Sequence, residues 1–278
     1  MIKLFSLCVI FSSILATKII NAQLWNETYP KGEIIPLGEF NIYSIGKSNR
    51  NLAIIVMYDN RGFNTSQTRV FCDRLASEYF VHVVMPDFFR GTSVPTNGST
   101  TSWLETVSNW TRLSSDLQNV ANWLDKQYSI KQIGLIGFCW GGLHVVRACS
   151  NLPTIFFTGI SIHGAQITPD EVRKLQRPML FIAASNDPPL QPNISSVIEQ
   201  ANPNISQQCE YKTYTNMRHG FAAGGANYSN PDNVKAIDDV HETVRNYLDK
   251  LRKNMSVSLS INFFILLILL IFVFNLHI

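Results

Sequence analysis

Short apolar runs rich in β-branched residues alternate with longer amphipathic segments through the middle of the chain. The runs that predict strands cover residues 52–57, 81–85, 132–138, 154–162, 179–184 and 210–214. Several of them are apolar at consecutive positions, which indicates burial on both faces, as in a parallel sheet covered by helices. We therefore predict a single α/β domain with a mostly parallel central sheet and helices on both faces.

Two amphipathic stretches predict long helices. Apolar residues recur at steps of three or four over residues 103–128 and again over residues 234–251. Three basic residues, Lys250, Arg252 and Lys253, lie at the end of the second stretch, where they suit the negative end of a helix dipole. We expect this helix to close the domain. Residues 92–102 are uncharged and rich in Thr, Ser, Pro and Gly, so they predict a loop.

The two ends of the chain are apolar and fall outside this alternation. Residues 1–22 have a basic residue, an apolar run and then small residues, which is typical of a secretory signal peptide, with a buried helix as the alternative. The domain is predicted over residues 23–253. In the tail, 254–278, the apolar run 263–274 is short for a membrane span of about 30 Å, and no basic residues follow it. We expect a signal for a glycolipid (GPI) anchor, with a short membrane helix or a buried segment as alternatives.

Composition and charge exclude several classes of protein. With 46% hydrophobic and 15% charged residues the chain is not disordered, and a net charge of +3 without a basic cluster gives no reason to expect a nucleic-acid partner. Eight Asn-X-Ser/Thr sequons support a glycoprotein of the secretory pathway, tethered at the extracellular face of a membrane or secreted. The sequon asparagines are Asn26, Asn64, Asn97, Asn109, Asn193, Asn204, Asn227 and Asn254.

One segment has the pattern of a nucleophile. Cys139 stands between Gly137 and Gly141, directly after a predicted strand and before an apolar helical segment. This is the pattern of a nucleophile elbow with Cys in place of Ser, and a helix N-terminus there favours a thiolate. The glycine spacing does not fit a dinucleotide-binding motif. A buried, inert cysteine is the alternative.

A thiol nucleophile needs a base and a group that orients the base, and in elbow folds the chain order is nucleophile, acid, histidine. Asp187 follows a predicted strand and His219 follows the last one, so the chain supplies this order. His163 is the competing histidine, but it precedes Asp187. No His or Cys pair has the spacing of metal ligands, so we expect neither a metal nor a cofactor.

Five segments resemble the dienelactone hydrolase family of α/β-hydrolases, particularly its carboxymethylenebutenolidase-like branch. They are residues 58–65, 86–91, 137–142, 186–188 and 219–221, and the resemblance extends over about residues 35–253. It implies an α/β-hydrolase fold and a hydrolase of carboxylic ester bonds with the triad Cys139, Asp187 and His219. It also implies an oxyanion hole from the backbone amides of Asn60 and Trp140.

The resemblance assigns two further side chains, with departures from the family pattern. Asp59 matches the position of a carboxylate, more often Glu in the family, that engages the resting thiol. Arg90 matches the position of an arginine that binds the substrate carboxylate. The family usually has a second arginine four residues beyond the triad histidine, and Ala223 stands there, although Arg218 could compensate. Dienelactone itself therefore fits less well, and small esters, lactones or thioesters are the expected substrates.

Two alternatives stay open at this point. The chain could be a tethered, glycosylated binding protein that keeps the hydrolase fold without turnover. If Cys139 is the working thiol, the remaining cysteines of the predicted domain can form at most one disulfide, and the sequence does not choose among Cys72, Cys149 and Cys209.

Overall fold

The computed structural model describes residues 30–47 and 51–275, with side chains through Ser256, so the predicted signal segment 1–22 lies outside the described residues. Strands in this part form one sheet in the spatial order β1-β2-β4-β3-β5-β6-β7-β8. They are β1 (Glu33–Leu37), β2 (Phe40–Ile45), β3 (Leu52–Met57), β4 (His82–Pro86), β5 (Gln132–Phe138), β6 (Phe156–Ile162), β7 (Met179–Ala184) and β8 (Glu210–Tyr214). The pairs β1–β2 and β2–β4 are antiparallel and the others are parallel.

Helices connect and cover the parallel strands. They are α1 (Ser66–Tyr79), α2 (Thr100–Val107), α3 (Trp110–Tyr128), α4 (Trp140–Asn151), α5 (Pro169–Val172), α6 (Ser195–Ala201), α7 (Pro203–Ser206) and α8 (Pro231–Asn275). Every residue of β3, β4 and β7 is buried. Because successive side chains of a strand point to opposite faces, both faces of the sheet are covered at its centre. The predicted α/β fold with a mostly parallel sheet is confirmed.

The six predicted strands correspond to β3–β8, with ends that differ by no more than two residues. The prediction missed the hairpin β1–β2, since β1 is largely exposed and has no continuous apolar run. It also missed α1. The buried face of this helix includes Arg69, Asp73 and Arg74, so its burial leaves little trace in the hydrophobic pattern.

The single helix predicted over residues 103–128 is two helices. The first, α2, ends at Val107, and α3 begins at Trp110. Between them, the side chain of Asn109 accepts a hydrogen bond from the backbone N–H of Arg112 at 3.0 Å, which caps the N-terminus of α3. The apolar spacing continues across the break because both helices pack on the same core.

The last helix, α8, begins close to the predicted start and extends past the predicted end. Ile237, Val240, Val244 and Leu248 are almost fully buried, so its first half closes the domain as expected. In the part of the chain that the structure describes, no helix has the length and apolar character needed to cross a membrane.

The order of the strands places a crevice above the centre of the sheet. From β3 the chain crosses to β4 on one side, whereas from β5 it crosses to β6 on the other. At such a reversal, the loops after the two neighbouring strands diverge and leave a cleft at their carboxyl ends. The residues that follow β3 and β5 therefore border the same cleft.

The core face of α3 offers a test of this packing. Leu117 is fully buried and its neighbour Gln118 is exposed. We expect Leu117→Ala to lower the free energy of unfolding by about 2–5 kcal/mol because it leaves a cavity. Gln118→Ala should change it by no more than about 0.5 kcal/mol. Urea unfolding followed by circular dichroism measures both, and equal losses would contradict the placement of this face.

Candidate active site

Cys139 lies at the sharp turn between the end of β5 at Phe138 and the start of α4 at Trp140. Its backbone has φ +50° and ψ −110°, a conformation that residues other than glycine rarely adopt. Such a conformation costs about 1–3 kcal/mol and persists only where the surroundings hold it. The thiol is unbridged and partly accessible to solvent.

Two glycines allow this turn because they let main chains approach closely. A Cβ atom on Gly137 would lie 2.3 Å from the carbonyl oxygen of Gly141, and one on Gly141 would lie 2.1 Å from that of Met57. Both distances are far below van der Waals contact, so no larger residue fits. The approach to Met57 also sets the elbow against the end of β3.

Backbone hydrogen bonds tie the elbow to the end of β6. The N–H of Cys139 donates to the carbonyl oxygen of Ile162 at 3.2 Å. Its own carbonyl oxygen accepts from Gly142 at 3.1 Å and from Ala165 at 2.9 Å. The position of Cys139 is thus held from both sides of the turn.

Asp187 and His219 meet across the loops that follow β7 and β8. Nδ1 of His219 donates to Oδ1 of Asp187 at 2.6 Å. The other carboxylate oxygen, Oδ2, accepts from the backbone N–H of Ala184 at 2.7 Å. The backbone N–H of His219 donates to the side chain of Asn186 at 2.7 Å, which joins the two loops a second time.

The electrostatics of this pair extend to the thiol. The hydrogen bond that His219 donates to Asp187, followed by the interaction with Cys139, raises the pKa of His219 to about 10 against the opposing effect of burial. Burial alone would raise the pKa of Asp187, but hydrogen bonds from His219 and Ala184 outweigh it and leave this pKa below its usual value. The structure therefore brings together the three side chains predicted as a triad.

The two amides predicted for the oxyanion hole border the same cleft. Trp140 is the first residue of α4, so its backbone N–H has no intrahelical carbonyl to donate to. Asn60 lies in the turn after β3, where its carbonyl oxygen accepts from Val94 at 3.0 Å. In the part of the chain that the structure describes, the backbone N–H of Asn60 donates no hydrogen bond to a backbone carbonyl oxygen. Both amides are thus available to a ligand.

Asp59 is buried, and its hydrogen bonds go to the main chain rather than to the thiol. Its Oδ1 accepts from the N–H of Arg61 and its Oδ2 from the N–H of Gly224, both at 2.9 Å. The carboxylate thus joins the loop after β3 to the loop after His219. The contact with the resting thiol that the family resemblance implied for Asp59 is not one of these bonds.

Arg90 has an acidic partner within the chain. Its guanidinium pairs with Asp116 of α3 at 2.8 Å and lies over the ring of Phe40 at 4.6 Å. It borders a wide cavity of about 900 Å³ whose lining includes none of the three triad residues. Asp116 pairs with Arg112 as well, at 3.5 Å. The role in binding a substrate carboxylate that the resemblance implied for Arg90 stays a prediction.

The loop after His219 explains why no arginine stands at position 223. Ala223 is fully buried, so a guanidinium would have no room there. A different arginine reaches this loop from the other side of the cleft, since Nη1 of Arg61 donates to the carbonyl oxygen of Gly224 at 2.5 Å. The sequence analysis missed Arg61, although its place next to Asn60 was a usable signal. Arg218 is exposed.

His163, the competing histidine, is a buried neighbour of the triad histidine. Its ring centroid lies 4.9 Å from that of His219, and neither ring nitrogen has a hydrogen-bond partner among the described residues. Burial, reinforced by the charge of His219, lowers the pKa of His163 to about 3. The ring therefore stays neutral. The remaining cysteines of the described chain, Cys72, Cys149 and Cys209, are buried and unbridged.

Curated proteins of similar sequence are carboxymethylenebutenolidase homologues. The homologue from Rattus norvegicus is 29% identical over 204 residues, which cover 71% of this chain and 82% of the relative. The one from Xenopus tropicalis is 28% identical over 227 residues, which cover 79% and 91%. Both matches extend over most of the predicted domain.

A solved structure supports the fold independently. A dienelactone hydrolase-like promiscuous phosphotriesterase from metagenomic libraries superposes with a TM-score of 0.59 over 80% of this chain and 98% of that structure. Its sequence identity is only 15%, so this likeness concerns the fold alone. The family model described as "Dienelactone hydrolase family" matches residues 40–251, which include the elbow, Asp187 and His219. The chain therefore belongs to the dienelactone hydrolase family.

Proposed function

We propose that Cys139 is the nucleophile of a hydrolase that cleaves small neutral esters, lactones or thioesters. Family membership already makes the chain a hydrolase acting on ester bonds. The cysteine mechanism rests on one observation, the joint position of the Cys139 thiol, the His219 ring and the Asp187 carboxylate at the carboxyl ends of β5, β8 and β7.

In the first half-reaction His219 holds the proton of the thiol, as its raised pKa favours, and the sulfur attacks the carbonyl carbon. The carbonyl π electrons move to oxygen, and the bond between carbon and the leaving oxygen or sulfur then breaks. The imidazolium of His219 protonates the leaving group, and an acyl thioester stays on Cys139. Asp187 holds the ring by Nδ1 and stabilises the imidazolium, in agreement with the raised pKa of His219.

In the second half-reaction water releases the acyl group. His219 removes a proton from the water, the resulting hydroxide adds to the thioester carbonyl, and the thiolate leaves and regains its proton from His219. In both halves negative charge develops on the carbonyl oxygen. The free amides of Asn60 and Trp140 are the donors proposed for it, and one such donor is worth about 10²- to 10³-fold in rate.

We propose neutral substrates because the two arginine positions that the family pattern implies for a carboxylate do not supply free guanidinium groups beside the triad. Arg90 is paired with Asp116, and the position of the usual second arginine is a buried alanine. The alternative of a binding protein without turnover is not favoured, because the triad contacts are complete.

We also propose that the protein passes through the secretory pathway as a glycoprotein, held at the cell surface by its tail or secreted. The seven described sequon asparagines are all exposed, as glycan attachment requires: Asn64, Asn97, Asn109, Asn193, Asn204, Asn227 and Asn254. The signal segment, Asn26 and the side chains of the apolar tail lie outside the described part.

Replacement of the nucleophile tests the mechanism. We expect Cys139→Ala to lower kcat/KM for 4-nitrophenyl acetate by at least about 10³-fold, since the attacking atom is lost. Mass spectrometry of acid-quenched wild type should find one added acyl group that the variant lacks. Cys209→Ala is the control, because burial raises the pKa of that thiol to about 11 and keeps it protonated. An acyl adduct that persists in Cys139→Ala contradicts the proposal.

Asp187→Asn tests the electrostatic pair. The pKa of His219, followed by NMR of the imidazole protons, should fall from about 10 towards 6.5, and kcat should fall by about 10²- to 10⁴-fold. Folding raises this pKa, so the stabilisation from the protonated ring is complete below about pH 6.5 and is lost as the pH rises towards 10. Between about pH 6.5 and 10, the free energy of unfolding of Asp187→Asn should therefore decrease less than that of the wild type.

Asp170→Asn serves as the control for this pair, because the side chain of Asp170 is 88% exposed. It should leave both the His219 titration and kcat unchanged. An unchanged histidine titration in Asp187→Asn would refute the assignment of Asp187 as the orienting acid.

Glycosylation can be tested on the full chain expressed in insect or mammalian cells. We expect peptide-N-glycosidase F to lower its apparent mass, and Asn97→Gln to remove one glycan, since Asn97 lies in an exposed loop before α2. Asn119→Gln, outside any sequon, should change nothing. Protein that is insensitive to the enzyme would argue against secretion.

A further inference from the structure

A second, narrower cavity lies at the carboxyl ends of β6 and β7, next to the triad. Its volume is about 250 Å³, slightly below the range of about 300–1,000 Å³ typical of drug-sized ligands. Asp187 forms part of its wall, although Cys139 and His219 do not. A cavity of this size takes a fragment of a substrate rather than a whole drug-sized molecule.

The wall of this cavity is apolar and carries no free charge. Ile167, Phe181, Leu190 and Ile194 provide much of its surface. Both oxygens of Asp187 are occupied, one by His219 and the other by the N–H of Ala184. Since the carboxylate is already compensated, the cavity favours a neutral apolar group over a cation.

One buried polar side chain in the wall lacks a partner among the described residues. Ser161 of β6 is only 2% exposed, and none of the described residues forms a hydrogen bond with its hydroxyl. Buried hydroxyl groups are nearly always hydrogen-bonded, because an unpaired one loses its interaction with water. The hydroxyl of Ser161 is therefore free to bond with an oxygen atom of a ligand in the cavity.

The cavity adjoins the elbow through glycines. Gly164 lines it, and a Cβ on Gly142 in the first turn of α4 would lie 2.6 Å from both the Cα of Gly164 and the Oγ of Ser161. The next residue, Ala165, donates its N–H to the carbonyl oxygen of Cys139. The cavity and the elbow of Cys139 thus share the chain segment 161–165, whereas no residue of the loop that carries His219 lines the cavity.

We infer that this cavity is the acyl subsite of the enzyme and binds a neutral, apolar acyl group longer than acetyl that carries one hydrogen-bonding oxygen for Ser161. The inference rests on the proposed function, since it takes Cys139 as the acylated atom. The wide cavity beside Arg90 is the competing location.

The test compares 4-nitrophenyl esters of acetate, hexanoate, 4-oxohexanoate and 5-oxohexanoate. We expect wild type to favour hexanoate over acetate in kcat/KM by roughly tenfold or more. Leu190→Trp fills the cavity from a half-buried loop position and should abolish this preference. Ile167→Trp fills the cavity from another position of its wall and replaces Leu190→Trp in the test if that variant folds poorly. Leu37→Trp, which narrows the cavity beside Arg90, is the matched control and should keep the preference.

Ser161→Ala tests the hydrogen bond. In wild type at least one oxohexanoate should be favoured over hexanoate, and the variant should reduce that ratio severalfold because the hydroxyl donor is lost. If the ratio does not change for either ester, the role of Ser161 is wrong. If the hexanoate preference is lost in Leu37→Trp and kept in Leu190→Trp, the acyl group lies beside Arg90 and the inference is overturned.

A binding experiment separates this inference from the proposed mechanism. Hexan-2-one is a neutral probe with one acceptor oxygen, and its affinity for Cys139→Ala can be measured by calorimetry without turnover. Binding that Leu190→Trp abolishes and Leu37→Trp retains supports the cavity even if Cys139 is not the nucleophile. No binding to Cys139→Ala, or binding that survives in Leu190→Trp, refutes the subsite whatever the mechanism.

Discussion

The site depends on a strained backbone at Cys139 that three close main-chain approaches hold in place. Gly137 contacts Gly141, Gly141 contacts the end of β3, and the cysteine amide and carbonyl bond to residues at and after the end of β6. These contacts involve parallel strands on both sides of β5, so the conformation of the elbow depends on the assembled sheet. The sheet thereby compensates the cost of the strained conformation and holds the sulfur above its carboxyl edge.

Electrostatics then couple three loops that are far apart in the chain. His219 keeps a proton well above the pH at which a free imidazole loses it, because Asp187 accepts from one side and Cys139 interacts from the other. His163 packs against the same ring but stays neutral through burial. Two histidines with pKa values shifted in opposite directions thus share one edge of the sheet, and only the partly exposed one can exchange protons with a substrate.

Three side chains near the cleft have partners within the chain that the family pattern did not predict. Arg90 pairs with Asp116, and Asp59 and Arg61 join the loops on either side of the cleft. Ala223 is fully buried and leaves no room for an arginine. Motif matching assigned Asp59 and Arg90 to positions of the family pattern. It could not predict their partners, because Gly224 and Asp116 are distant in sequence and nothing in their spacing marks them.

The sequence by itself determined the parallel core strands, the elbow and the order of the triad, because each depends on local periodicity or on a short motif. It did not reveal α1 or the break between α2 and α3, where buried charged residues and a capping asparagine override the apolar pattern. Tertiary structure alone decided that Arg90 pairs with Asp116, that an apolar cavity borders Asp187, and that the buried hydroxyl of Ser161 lacks a partner within the described chain. These properties depend on side chains from different strands meeting at one edge of the sheet, and a linear pattern carries no record of that proximity.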